Sequence, residues 1–244
     1  MQIAQMRIEY FSNILYTMSK TIVIFSHGFG VRQDCKWIFA DICDALVHLD
    51  ITCIFFDYNE FNEDTKELFA ISFSEQAKKL QAIINSTHKN NPDAQIVVIW
   101  HSQGCIIPTL CDLTHVSSII MLSPFFHTDM KDVLHRYTKL AWNNMDLTGE
   151  TRRKRSDWTT TVIPAEYRKE RFNTDVVSLY NELAMRKNVY IIYALQDEIM
   201  QFTEHNRIKN AYMLNIDGNH DFTKPFRVVL IKIILKIMKF NAYS

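Results

Sequence analysis

The chain has 244 residues, with 27 Lys and Arg against 27 Asp and Glu, and 48% of it is hydrophobic. At about 100–200 residues per domain, this length describes one large domain, or one domain with an insertion. That apolar fraction, with 22% charged residues, belongs to a globular chain and excludes disorder as the main state. A formal net charge of zero gives no reason to expect nucleic acid as a partner, because phosphates are bound by clustered positive charge.

Five cysteines, Cys35, Cys43, Cys53, Cys105 and Cys111, form no CxxC pair and have no His neighbour at ligand spacing. Neither a disulfide framework nor a structural zinc site fits them, and reduced thiols point to a cytoplasmic location. The first twenty residues interrupt their apolar positions with Arg7, Glu9 and Asn13, so no continuous signal-peptide core forms. No run reaches the roughly 18 uncharged apolar residues of a membrane span, and no stable membrane insertion is expected.

In chain order, the strand candidates are 21–26 (TIVIFS), 52–58 (TCIFFDY), 95–100 (QIVVIW), 118–122 (SIIML), 189–195 (VYIIYAL) and 211–216 (AYMLNI). Each is a nearly continuous apolar run, as strands covered on both faces are. Helical patterns at 35–48, 73–87, 103–113, 173–186 and 199–207 lie between them, and a last one runs from about 225 to 240. Alternation of this kind marks βαβ units, so the predicted class is α/β, a mostly parallel central sheet with helices on both faces. Pro108 falls inside the pattern at 103–113 and should bend that helix slightly. The last helix places Lys232, Lys236 and Lys239 in one stripe among apolar residues. That pattern suits a packed helix with one wet edge, and its other reading is a basic amphipathic helix lying on a membrane.

The segment 125–172 is too long for an ordinary α/β connection of about 2–6 residues. It holds Phe125, Phe126, Trp142, Trp158 and the basic run RRKR at 152–155. We read it as a cap inserted within a single domain spanning 1–244. The RRKR run reads as a solvated face rather than a partner site, since such clusters are common in neutral proteins.

The strand at 95–100 runs directly into His101, Ser102, Gln103 and Gly104 before a helical pattern begins. A serine on a tight strand-to-helix turn is pushed outward at the carboxyl end of the sheet, where its hydroxyl faces the helix amino terminus. The first strand ends in His27, Gly28, Phe29 and Gly30, a small loop able to turn a backbone N–H toward the neighbouring strand end. The N–H of Phe29, with that of Gln103, can bind a developing oxyanion. A phosphate cradle is disfavoured, because neither GxGxxG nor GxxxxGK[ST] occurs. Late in the chain, Asp197 follows one strand, and Asp217, Gly218, Asn219 and His220 follow the next. Parallel strands all point their carboxyl ends the same way, so Ser102, Asp197 and His220 are expected at one edge of the sheet.

With H-G-F-G at 27–30, H-S-Q-G at 101–104, Q-D at 196–197 and G-N-H-D at 218–221, the chain resembles the α/β-hydrolase-fold serine hydrolases, the esterases and lipases, over about residues 20–240. In that family the cap follows the nucleophile, the acid follows the strand after the cap, and the histidine precedes the last helix. The resemblance implies a small-molecule acyl substrate, a carboxylic ester first of all, with no metal and no organic cofactor. It assigns Ser102 as nucleophile, His220 as general base and then acid, and Asp197 as the orienting carboxylate. Phe29 and Gln103 would supply the oxyanion N–H groups, and Trp100, Phe125 and Phe126 a pocket for an apolar acyl group.

Asp129 is the competing acid, while Asp217 and Asp221 flank the histidine too closely to be favoured. His27 and His101 read as packing histidines, and His127, His135 and His205 as surface or cap residues. Cys105 is a weak rival nucleophile, because burial disfavours its thiolate. The sequence departs from the family at Trp100, two residues before the serine, where the turn ordinarily has a small residue. Its indole has to find room beside a neighbouring strand or reach into the pocket. That departure leaves a non-catalytic binding protein on the same fold as an alternative, beside carbon–carbon bond hydrolysis and acyl transfer.

Overall fold

Apolar runs too long to be left in water pair edge to edge in the computed structural model, which describes residues 21–126, 149–155, 158–200 and 207–241, with side chains as far as Met238. The first half contains β1 (Thr21–Ser26), α1 (Ile38–Leu46), β2 (Thr52–Ile54), β3 (Glu60–Asn62), β4 (Glu67–Phe69), α2 (Phe73–Asn90), β5 (Gln95–His101) and β6 (Val116–Leu122). The second contains β7 (Thr151–Lys154), β8 (Thr160–Ile163), α3 (Ala165–Asn173), α4 (Val176–Arg186), β9 (Asn188–Ala194), β10 (Tyr212–Ile216) and α5 (Phe226–Asn241). The predicted strands form one six-stranded sheet in the order β10-β9-β6-β5-β1-β2, parallel throughout. This is the expected α/β class.

Strand alternation divides the core in two. Ile96, Val98 and Trp100 face the side covered by α2, through Phe73, Leu80 and Ile84, and by α4, through Val176, Tyr180 and Leu183. Val97 and Ile99 face α1, through Ile38, Phe39 and Leu46, and α5, through Leu230, Ile234 and Ile237. Full burial of one such side chain contributes about 1.5–3 kcal/mol, so the doubly covered strands are what fix the fold. On α5, Lys232 and Lys236 are exposed while Leu230, Ile234 and Ile237 are buried, as a packed helix with a wet edge requires. Among the described residues, no helix is long and apolar enough to cross a membrane. None of the five cysteines is in a disulfide.

Three elements differ from the sequence reading, and a fourth is not described. The run at 52–58 leaves the sheet after Ile54, and its end is held by side chains instead: Asp57 Oδ1 accepts the Gln33 N–H at 2.6 Å, and the Tyr58 hydroxyl meets Ser26 Oγ at 2.5 Å. The pattern at 103–113 is not an α-helix but two 3-10 turns, Ser102–Cys105 and Ile107–Leu110. Pro108, with no N–H to donate, stands at the start of the second turn, so the chain breaks there instead of bending. The pattern at 173–186 is the end of α3 and the whole of α4, separated where the Asp175 carboxylate caps α4 by accepting the Ser178 N–H at 3.2 Å. Most of 199–207 lies outside the described residues.

A second sheet, in the order β3-β4-β8-β7, was not expected. It joins residues 60–69 to the segment 125–172, whose described residues include β7, β8 and all but the last residue of α3. Residues 127–148 of that segment, Trp142 among them, lie outside the described residues.

Candidate active site

The site begins where β5 ends. Ser102 has φ 53, in the left-handed region that costs a non-glycine residue about 1–2 kcal/mol. The turn is held there by close packing on the end of β1. A Cβ at Gly104 would stand 2.4 Å from the His27 carbonyl oxygen and 2.5 Å from that of Ser26, so only glycine fits. A Cβ at Gly28 would lie 3.2 Å from Ser102 Cβ, which brings the Phe29 loop against the serine turn.

His220, on the loop between β10 and α5, presents Nε2 to Ser102 Oγ at 2.9 Å and Nδ1 to Asp197 Oδ2 at 2.7 Å. The histidine ring and the carboxylate are both buried, at 3% and 1% side-chain exposure, so the pair is little screened by water. The other carboxylate oxygen of Asp197 accepts the N–H groups of Ile199 at 2.8 Å and Met200 at 2.7 Å. Burial alone would raise the Asp197 carboxyl, but the His220 ring and these backbone donors outweigh it and hold it below the usual carboxylate range.

His220 is itself held at both backbone groups. Its N–H donates to Glu198 Oε2 at 3.1 Å, and its carbonyl accepts from His101 Nε2 at 3.1 Å. His101 then offers Nδ1 to the Cys35 thiol at 3.2 Å. Burial lowers His101 to about 3 and pushes the Cys35 thiol up to about 12, so both are neutral. His27 accepts the Tyr58 N–H on Nε2 at 3.0 Å, which leaves Nδ1 to donate to the Gly28 carbonyl at 2.9 Å. His27 and His101 are thus satisfied packing groups. Cys105 lies buried beneath the turn, and burial raises its thiol far above the ordinary value. His101, His220 and Asp221 lie close enough to share a cation, but their donor atoms are engaged with His220, Ser102, Asp197 and Lys36.

Asp217 is bonded away from the ring, accepting from Gln196 Nε2 at 2.6 Å, and Asp221 pairs with Lys36. Asp129, with His127, His135 and His205, lies outside the described residues. A cavity of about 280 Å³ opens over Ser102 and is lined by Phe29, Gln103, Phe125 and His220 among others.

No family model and no curated protein sequence matches the chain. Among solved structures, Est1E from Butyrivibrio proteoclasticus superposes with a TM-score of 0.70 at 16% identity, over 93% of this chain and 90% of its own. The monoacylglycerol lipase of Paleococcus ferrophilus gives 0.66 at 13% identity, over 93% of this chain and 96% of its own. An esterase domain from Rhodothermus marinus gives 0.61 at 13% identity, over 90% of this chain and 87% of its own. The fold is the α/β-hydrolase fold.

Within this α/β-hydrolase fold, two of the three expected pocket aromatics are elsewhere. Trp100 and Phe126 do not line the cavity, and only Phe125 does. Trp100 is fully buried, and its room comes from Ser26, its small register partner on β1. Strand alternation points the indole into the core beneath the sheet, not toward the edge where Ser102 sits. Phe126 packs edge-on against Tyr180 with ring centroids 5.6 Å apart.

In their place, Arg153, Arg155 and Arg171 line the cavity. The RRKR run is solvated on one side alone. Arg152 and Lys154 are exposed, whereas Arg153, on the other face of β7, and Arg155, just past its end, line the cavity. Period-2 alternation through the run was the signal available for them, and it can be used only once the run is known to be a strand.

Proposed function

We propose that this protein is a serine hydrolase that cleaves a carboxylic ester through an acyl-enzyme on Ser102. One arrangement carries the reading: a single imidazole lies 2.9 Å from Ser102 Oγ on one nitrogen and 2.7 Å from a buried carboxylate on the other. In this reading His220 Nε2 takes the hydroxyl proton as Oγ attacks the ester carbonyl, and Nδ1–H stays bonded to Asp197, which stabilises the imidazolium. The N–H groups of Phe29 and Gln103 bind the oxyanion of the tetrahedral intermediate. His220 Nε2–H then protonates the departing alkoxide. Water, deprotonated by the same nitrogen, attacks the acyl-enzyme and releases the acid, returning the proton to Ser102.

The names of the structural neighbours, two esterases and a lipase, support an ester substrate over carbon–carbon cleavage or acyl transfer. In the same reading residues 125–172 form the cap over the cavity, and the reduced thiols suit a cytoplasmic enzyme. The case for a non-catalytic binding protein rested on Trp100, and that indole is buried in the core and is not among the residues lining the cavity.

The test is activity-based labelling. A fluorophosphonate should modify Ser102 and no other residue, and Ser102→Ala should abolish both labelling and turnover of p-nitrophenyl acetate. Undiminished labelling of Ser102→Ala rejects the assignment, and product analysis in the presence of an added alcohol separates hydrolysis from acyl transfer.

A further inference from the structure

Two backbone groups, the N–H of Phe29 and that of Gln103, hold the oxyanion in the reaction proposed above, and one side chain touches both residues. Tyr167, on α3, is buried at 1% exposure. Its hydroxyl donates to Gln103 Oε1 at 2.5 Å, and its ring centre lies 5.4 Å from that of Phe29. The loop after β1 and the turn after β5 therefore share a partner, which belongs to the segment 125–172.

Tyr167 is itself held. Phe73, the first residue of α2, meets its ring edge-on with centres 5.3 Å apart, a favoured geometry for two aromatic rings. Three residues further along α3, the Glu170 carboxylate accepts the Ser74 N–H at 2.8 Å and the Ser74 hydroxyl at 2.7 Å. That bond lies at the amino end of α2, where a negative charge is favoured. α3 is thus tied to α2 at two points, and the Tyr167 hydroxyl is delivered to Gln103 from a fixed base.

Gln103 follows Ser102 directly, and Ser102 sits at φ 53. A strained residue keeps its conformation only while its surroundings over-determine it. Gln103 is buried at 3% exposure, so removing the hydroxyl would take the donor from a buried acceptor, and the side chain gains by turning away and drawing its backbone with it. An oxyanion donor works by aim, since it must stand about 2.7–3.1 Å from the place where charge develops. We infer that Tyr167 is a positioning residue, which sets the aim of the oxyanion donors through the Gln103 side chain and the Phe29 ring. This role rests on the ester-hydrolase reading of the same site.

The test is Tyr167→Phe, which removes one oxygen and keeps the ring. With p-nitrophenyl acetate, kcat should fall about tenfold to a hundredfold, less than the roughly 10²–10³ lost when an oxyanion donor is removed outright, while KM changes less than about twofold. A trifluoromethyl ketone gives a second readout. Ser102 Oγ bonds its carbonyl carbon, the hydroxyl proton passes to His220 Nε2, and the carbonyl oxygen becomes the oxyanion. Affinity for the ketone should fall by the same factor as kcat/KM. Gln103→Met keeps the N–H and removes the acceptor, so it should lower kcat by a similar factor. Tyr167→Phe added to Gln103→Met should cost about twofold at most, because both substitutions break one contact.

An unchanged kcat in Tyr167→Phe, whether or not its Tm falls, or single-variant losses that multiply in the double variant, overturns the role. Should Tyr167→Phe fail to fold, Gln103→Met decides, and unchanged kcat and ketone affinity there overturn it. A wild-type enzyme that turns over no ester and takes no label on Ser102 removes the hydrolase reading and this role together. An active, labelled wild type beside an equally active Tyr167→Phe removes the role alone.

Discussion

His101 holds the backbone of His220, donating from Nε2 to its carbonyl oxygen at 3.1 Å, while Cys35 fills the other side of the ring. Burial first, and the neighbouring His220 second, lower His101 to about 3. In the unfolded chain a histidine titrates near 6.5. Between those values the unfolded chain carries a proton that the folded chain refuses, so stability is full above about pH 6.5 and is lost as pH falls toward about 3. The slope is up to about 1.4 kcal/mol per pH unit, and His27, also lowered chiefly by burial, adds to it with the same sign. Urea unfolding midpoints from pH 7 to pH 4 should therefore decline, and His101→Gln should show a shallower decline. An equal slope in the variant would assign the acid sensitivity elsewhere.

Asp197→Asn should preserve the fold and cut kcat by about 10⁴-fold, because an amide cannot hold Nδ1–H toward itself and charge-stabilise the ring. Ser102→Ala should lose about 10⁶-fold, and the double variant little more, since the two residues act on one step. Burst kinetics with a p-nitrophenyl ester, alongside circular dichroism, separates these effects from misfolding.

Gly104→Ala should be worse than Gly28→Ala. The first Cβ would meet the His27 carbonyl oxygen at 2.4 Å, whereas the second would meet Ser102 Cβ at 3.2 Å, a gap that a slight shift relieves. Overpacking of the first kind costs about 1–3 kcal/mol and moves the serine turn as well. The midpoint of urea unfolding and kcat should therefore fall together for Gly104→Ala, with the smaller change at Gly28.

Trp100→Ala should cost about 3–5 kcal/mol of stability by opening a core void, with KM for short esters changed less than about twofold. Chain-length profiles at a temperature where both proteins are folded check this. A shifted acyl preference with unchanged stability would return the indole to the cavity.

The central sheet was legible because its strands are apolar on both faces, and runs such as QIVVIW have no other stable place. The second sheet was not legible, since Glu60–Asn62, Glu67–Phe69 and Thr151–Lys154 are three or four residues each, too short for an apolar pattern to show. Two short hairpins, β3–β4 and β7–β8, become one sheet only through the pairing of β4 with β8, which lies far away in sequence. Ser102, Asp197 and His220 could be brought to one edge from strand direction alone, while Trp100 could not be placed. Which face a strand residue takes depends on register, and the room for the indole is made by Ser26, over seventy residues earlier. Arg171 gave no signal at all, because its place at the cavity depends on how α3 packs.

Three consecutive basic residues on a two-sided strand, Arg152, Arg153 and Lys154, also have a bearing on how the cavity wall tolerates insertions and deletions. Sliding β7 by one residue would turn Arg153 to solvent and bring Arg152 and Lys154 inward. A one-residue indel ahead of the strand would thus alter which basic side chain of β7 lines the cavity while leaving the sign of that face intact.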